Sequence, residues 1–407
     1  MMYTSAALLL AAASSVSAAA VSASLQYTAT ATSAVLAAQA TAKSSSPVSF
    51  VKGKAFDRLA IIWLENTDFT LAAGDPNLAF LANKGIKLTN NFGVTHPSEP
   101  NYAAAIGGDY FGMNNDNLNY INSNISTVID LLEGAGISWA EYQEDMPYAG
   151  YEGFAWLNEE TQANDYVRKH NPAVLYDQNT KSLQRLEQMK NLTSFYEDLA
   201  ANTLPQWMFI TPNMTSDGHD SSVTVAGSWT RNFVEPLLDD ERFMNNTLVL
   251  ITFDENSSYS IQNQILGILL GDAVPSELVG TSDNNFYNHY SEISTVEANW
   301  GLPTLGRWDV GANVYQVVAD KTGDSLRTYD AGNMAKHFYN LSYDGVFNSA
   351  PSFPVYPKPN LCLEHAGRKV AQSVQQKWYG NKNPSYYKDT IEVNDGLNPP
   401  AQYGFTN

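Results

Sequence analysis

An α/β fold, with a mainly parallel central sheet sandwiched between helices, is the architecture this sequence predicts. Three observations carry it. Short apolar runs that end in polar residues recur along the chain: RLAIIWLEN (Arg58–Asn66), LPQWMFITPN (Leu204–Asn213) and NTLVLITFDEN (Asn246–Asn256). Such runs suit strands buried on both faces. Helical patterns lie between them, STVIDLLEGAG (Ser126–Gly136) and SLQRLEQMKNLTSFYEDLAAN (Ser182–Asn202). The chain has 407 residues, 44% of them apolar and 12% aromatic, which is enough to bury a large core. Strands alternating with helices favour a parallel sheet with helices on both faces.

From the amino terminus onward, residues 1–42 hold no charged side chain. The opening has an apolar centre at Ala6–Ala13 and small residues near 18–20, so residues 1–20 read as a secretory signal. Residues 21–50, rich in Ala, Ser and Thr, read as a linker or processed segment, with order expected from near Phe50. The catalytic body is expected over residues 51–350. Within it ISWAEYQED (Ile137–Asp145) is a weaker strand signal. Residues 351–407, rich in proline and aromatic groups, are expected to wrap the body.

Lys and Arg number 23 against 42 Asp and Glu, a net charge of −19. That surface repels nucleic acid and anionic bilayers, so neither a nucleic-acid partner nor stable membrane association is expected. Six Asn-x-Ser/Thr sequons accord with secretion: Asn124, Asn191, Asn213, Asn245, Asn256 and Asn340. Asn213 and Asn256 fall in candidate site loops, and Asn213 is expected to stay bare; Asn124, Asn191, Asn245 and Asn340 are the expected glycan sites. Cys362 is the single cysteine, so no intrachain disulfide forms, and it reads as a buried apolar thiol.

In a parallel α/β sheet, ligands bind beyond the carboxyl ends of the strands. Three predicted strands carry Glu65-Asn66, Thr211-Pro212-Asn213 and Asp254-Glu255 there. A carboxylate beside an amide oxygen can bind a hard divalent cation. Two acidic strand ends brought together require a counter-charge, which a metal supplies. In SDGHD (Ser216–Asp220), Asp217, His219 and Asp220 are spaced for a further cation or for protonating a leaving group, or for nothing more than an Asp-Gly turn. In THPSEPNYAAAIGG (Thr95–Gly108), Pro100 suits the first helical position, with Ser98 or Glu99 as cap and Gly107-Gly108 as a stop. Ser98 is then either an ordinary cap or a nucleophile at a helix N-terminus, where free N–H groups favour phosphate. Asn101 is placed to donate to a phosphoryl oxygen.

Taken in order, WLEN, HPSEPNY, KHNP, SDGHD, FDE and HYS resemble the acid phosphatase/phospholipase C-type phosphoesterases of the alkaline-phosphatase-like superfamily, over roughly residues 55–345. Within that group the chain looks most like the secreted fungal acid phosphatases. The resemblance implies metal-assisted hydrolysis of small phosphate esters. It assigns Ser98 as nucleophile, Glu65, Asn66, Ser98, Asp254 and Glu255 to a divalent metal, and His96 and His170 to phosphate. Asp217, His219, Asp220 and His289 fall on the leaving-group side, with Asp220 a further metal ligand and His289 a further phosphate contact. The Asp-His pair of the two-zinc members is here Asp254-Glu255, and the first-strand ligand is Glu65, which points to a harder ion, one or two per site. The expected activity is a secreted phosphomonoesterase working at acidic pH through a phosphoserine. The alternatives are a phosphodiesterase or phospholipase C of the same family, and a non-catalytic binding glycoprotein retaining the fold.

Overall fold

The computed structural model describes residues 31–329, 341–348 and 355–392. The expected signal at residues 1–20 and the sequon at Asn340 lie outside them. In chain order the strands are β1 (Arg58–Leu64), β2 (Ile86–Phe92), β3 (Trp139–Gln143), a small hairpin of β4 (Ala155–Leu157) and β5 (Asn164–Val167), β6 (Met189–Asn191), β7 (Trp207–Thr211), β8 (Thr247–Phe253), β9 (Gln264–Leu270), β10 (Thr281–Asp283) and β11 (Tyr287–Asn288). The central sheet runs β10-β2-β9-β8-β1-β7-β3-β6, with β11 also on β2. Pairing is parallel except at β9, which runs antiparallel to both β2 and β8.

β1 explains the design. Leu59, Ile61 and Trp63 enter one core and Ala60, Ile62 and Leu64 the other, because successive side chains leave opposite faces. Covered on both faces by helices, the strand has no need of polar alternation. All four expected strands form, each within its predicted stretch.

Three sequence expectations differ. The stretch Ser182–Asn202 is not one helix: Leu183–Leu186 and Thr193–Ala201 are helical, with β6 between them. Met189, Lys190 and Asn191 pair with Glu141, Tyr142 and Gln143 of β3, and the buried Lys190 ammonium meets Asp198. Sheet pairing overrides helical propensity there. Order also begins well before Phe50. Thr32–Gln39 is a helix with Val35 fully buried, and Ser46 and Ser49 donate to Asp198 (2.6 Å) and Gln206 (2.6 Å). Residues 31–50 are therefore docked on the body rather than a free linker. Finally, Cys362 is exposed, not buried.

The described part of the carboxyl-terminal segment, residues 355–392, packs on the body. Its helix Gln372–Trp378 buries Val374 and Trp378. Tyr386 and Tyr387 donate to the buried Asp109 carboxylate at 2.8 and 2.6 Å, joined by Tyr343 at 2.8 Å. Among the described residues no helix is long and apolar enough to cross a membrane.

Candidate active site

Parallel register puts the first candidate groups side by side. Leu64 of β1 pairs with Phe253 of β8, so Glu65 and Asp254 leave neighbouring strands at the same edge. Backbone bonds hold the join: Asp254 N–H donates to Leu64 O (3.1 Å) and Glu65 N–H to Asp217 O (3.0 Å). β2 is parallel to β8 through two antiparallel steps, so its carboxyl end delivers the Gly93–Ser98 loop to this edge. Gly93 permits the approach, since a Cβ there would lie 2.8 Å from Asp254 O and 2.6 Å from Asn263 Nδ2.

The helix Ser98–Gly107 that follows is buried along its whole length, which is why its small residues carry no amphipathic stripe. It begins at Ser98 with Pro97 as cap, earlier than the Pro100 start expected, and ends where Gly108 turns left-handed at φ 72°. Asn101 pins the loop. Its Oδ1 accepts from Val94 N–H (2.9 Å) and Thr95 N–H (3.3 Å), and its Nδ2 donates to Thr95 O (2.8 Å).

Glu65 is the hub. Ser98 Oγ donates to its Oε2 (3.1 Å) and Tyr102 Oη to its Oε1 (2.7 Å). The Asn66 amide faces Glu65 Oε2 at 2.7 Å and Asp254 Oδ1 at 3.1 Å, contacts that call for its NH2 end. Turned over, it would add a third oxygen to two carboxylate oxygens, a set suited to a cation. On the other side, ligand atoms of Glu65, His170 and Asp217 lie within 4.8 Å of one another. His170 Nε2 is 3.1 Å from Glu65 Oε1 and its Nδ1 3.4 Å from Asp217 Oδ2. His96 Nδ1 meets Glu255 Oε2 at 2.5 Å, and its ring stacks on Tyr259.

A phosphoesterase-family model matches residues 71–303, more than half of the chain. An acid phosphatase of Aspergillus fumigatus is 50% identical over 89% of this chain and 83% of its own length. The chain belongs to the phosphoesterase family. A phosphate-repressible acid phosphatase of Penicillium chrysogenum is 48% identical over 90% of this chain and 89% of its own. Among solved structures, a protein in the alkaline phosphatase superfamily from Vibrio parahaemolyticus is similar at TM-score 0.40 and 11% identity, over 65% of this chain and 72% of that one.

Two of the sequence assignments in this phosphoesterase need correction. Asp220 is exposed and pairs with His219 Nδ1 at 2.7 Å, so it stands outside the converging carboxylates. The turn at Gly218 sends Asp217 inward and Asp220 outward. His289 is buried, and its Nε2 donates to Asp254 O at 2.5 Å while its ring packs on Trp63 at 4.3 Å. Its reach is spent on holding the β8 strand end, not on phosphate. His219 lies on the rim, its Nε2 3.5 Å from Lys169 Nζ. Sequence reasoning missed Tyr102, Lys169 and Asp116. The first two sit inside motifs quoted for their neighbours, HPSEPNY and KHNP; Asp116 lies in a polar loop with no pattern to flag it.

Four buried carboxylates at one centre are electrostatically unbalanced. Burial, then the charge of Glu65, pushes Asp217, Asp254 and Glu255 well above the usual carboxylate range, and burial raises Glu65 itself. Burial lowers His96 to about 4 and holds His170 well below the usual imidazole value, which favours the neutral form of both. Asp217 Oδ2, Asp254 Oδ2, Glu255 Oε1 and His170 Nε2 lack aligned hydrogen-bond partners. Surplus negative charge, orphaned acceptors and neutral imidazole together fit a divalent cation. A depression of about 420 Å³ lined by Lys52, Arg58 and Arg242 lies by the amino end of β1, away from all these groups.

Proposed function

We propose that this phosphoesterase is a secreted acid phosphatase that hydrolyses small phosphate monoesters through Ser98. Membership of the family makes it a phosphoric ester hydrolase, and the relatives named acid phosphatase match nearly the whole chain. The observation that carries the mechanism is the Ser98 hydroxyl, at the start of a buried helix and 3.1 Å from Glu65.

In this reading Ser98 Oγ attacks phosphorus in line, the ester oxygen leaves, and Ser98 holds the phosphoryl group until water releases it. The N-terminal dipole of the Ser98–Gly107 helix favours the charge that accumulates on the phosphoryl oxygens. Glu65, Asn66, Ser98, Asp254 and Glu255 are the oxygen set that would hold a divalent cation, with His170 and Asp217 completing a second position around Glu65. Such an ion would lower the hydroxyl pKa and offset the carboxylate charge. His96, neutral and oriented by Glu255, faces the phosphoryl side. His219 on the rim, or Asp217 where no cation occupies that second position, protonates the departing alkoxide.

The test is turnover of a nitrophenyl phosphate monoester against the matching diester near pH 5, with phosphoserine trapping on Ser98. Preferred monoester turnover, and Ser98→Ala retaining no more than a few per cent of it (roughly the residual left when a nucleophile is removed), is the expected result. Preferred diester turnover, or substantial activity in Ser98→Ala, would overturn it.

A further inference from the structure

We propose that Lys169 is the residue that selects a dianionic phosphoryl group, and that Asp116 keeps that group's place in the free protein. This rests on the reading of Ser98 as the attacking group. The two oxygens of Asp116 are both committed, and to donors that border Ser98. Oδ1 accepts from Glu99 N–H at 3.0 Å, the amide immediately after Ser98. Oδ2 accepts from Lys169 Nζ at 3.0 Å.

Lys169 adjoins His170, whose Nε2 is buried, lacks a hydrogen-bond partner and lies 3.1 Å from Glu65 Oε1. The same Glu65 accepts from Ser98 Oγ. Lys169 is thus tied to Ser98 through its chain neighbour His170 and the contacts that His170 and Ser98 both make with Glu65. An anionic carboxylate spanning a backbone N–H and an ammonium reproduces what two oxygens of a phosphoryl group would do. The ammonium is mostly covered, its side chain 14% exposed, whereas Asp116 is 29% exposed and sits in a polar loop. An arriving phosphate can therefore displace the carboxylate outward and inherit both donors.

Charge decides the specificity. A monoester carries up to two negative charges and a diester one. The centre already holds Glu65, Asp217, Asp254 and Glu255, all buried. The second charge of a monoester is tolerated there if a fixed cation meets it, and Lys169 is placed to do so. Lys169 also reaches His219 Nε2 at 3.5 Å, so the ammonium lies between the phosphoryl and leaving-group sides.

The experiment measures binding of inorganic phosphate by calorimetry, and KM for a nitrophenyl monoester and diester, in the wild type, Lys169→Gln, Lys169→Arg and Asp116→Asn. Lys169→Gln is expected to weaken phosphate binding about tenfold or more, and to raise KM for the monoester by a larger factor than for the diester. Lys169→Arg restores most of the loss. Asp116→Asn removes the competing charge and tightens phosphate binding by a factor of about three or more. Equal KM changes for the two esters in Lys169→Gln would overturn the assignment of Lys169. Weaker phosphate binding in Asp116→Asn would reduce Asp116 to a prop for the lysine. If the wild type turned over neither ester, the reading of Ser98 would fail, and the calorimetric comparison would still decide the roles of Lys169 and Asp116.

Discussion

Glu65→Gln separates the cost of the candidate centre from its use. Glu65 and Asp217 place ligand atoms within 4.8 Å of each other. At that spacing two like charges repel by about 3 kcal/mol for an effective dielectric of about 20. Glutamine removes one of the charges. It also turns one acceptor into a donor facing Ser98 or Tyr102, which costs about 1 kcal/mol. Repulsion wins, so with metal removed by chelator the variant should be more stable than wild type at pH 7 by about 2 kcal/mol, a few degrees in Tm. The pH dependence has a fixed sign. Burial raises Glu65, Asp217, Asp254 and Glu255 in the folded state. The folded metal-free protein then binds more protons than the unfolded chain. Its stability is full below the unfolded carboxylate pKa of about 4 and falls as pH rises through the raised values. The advantage of Glu65→Gln should therefore grow from pH 4 to pH 7. With divalent metal the order reverses, because wild type gains more from binding, and turnover in the variant falls. Scanning calorimetry with chelator and with metal, at several pH values, measures all of this. A chelated variant less stable than chelated wild type at pH 7, or an equal metal-induced rise in both proteins, would refute a surplus of charge at Glu65.

Three further outcomes are expected. His219→Gln should slow turnover of an alkyl phosphate on the order of tenfold more than that of nitrophenyl phosphate, because the poor leaving group needs the proton; equal slowing would remove His219 from that role. Tyr387→Phe should cost about 1.5 kcal/mol in urea unfolding, since Asp109 loses a charged hydrogen bond of 2.6 Å in a buried site, with KM unchanged; a neutral result would mean that Tyr343 and Tyr386 satisfy the carboxylate alone. Glycopeptide mass spectrometry should find Asn124 and Asn245, both exposed, occupied and Asn191, Asn213 and Asn256 bare. Asn191 joins the bare set, against the sequence expectation, because its Nδ2 donates to Met146 O at 2.6 Å, while Asn213 Nδ2 donates to Asp145 at 2.7 Å and Asn256 is fully buried.

The strands that build the centre were legible because burial on both faces leaves a continuous apolar run, and their polar ends marked the ligand edge. β2 and β9 were not. IKLTNNF mixes buried and half-buried positions, and QILGILL has polar residues before it and after it, so its ends do not signal its reversed direction. β6 was read as helix because three residues carry no period, and its pairing with β3 is a long-range fact. The same distinction governs the site. Glu65 and Asp254 could be placed together because each follows a predicted strand on the same edge, whereas Ser98, beyond the unread β2, joined them only through its helix-start motif and the family resemblance. Asp220 and His289 could not be sorted, since residues three apart in a turn, or at a helix start, take their direction from contacts: Asp217 turns to His170, Asp220 to His219, and His289 to Asp254 O. Asp116 had no local signal because its partners, Glu99 N–H and Lys169, come from elsewhere in the chain.

A protein of net charge −19 is a poor collector of phosphate esters, yet the family acts on them. Screening resolves the conflict. At physiological ionic strength exposed charges fade beyond about 8 Å, so the acidic surface weighs little on a phosphoryl group already at Ser98. What acts there is the inner set, and it is also negative: Glu65, Asp217, Asp254 and Glu255, against Lys169, with His96 and His170 held neutral by burial. One ammonium cannot offset four carboxylates and a dianion. Either a divalent cation reverses the sign of the centre, or its acids stay protonated and no phosphate is bound tightly. Acidic medium eases the second condition and does not remove the first, because in the proposed mechanism Ser98 needs an ionised partner to become a nucleophile. On the proposed reading, a divalent cation and the substrate are therefore expected to bind cooperatively, with Lys169 contributing a positive charge that Asp116 holds in the free protein.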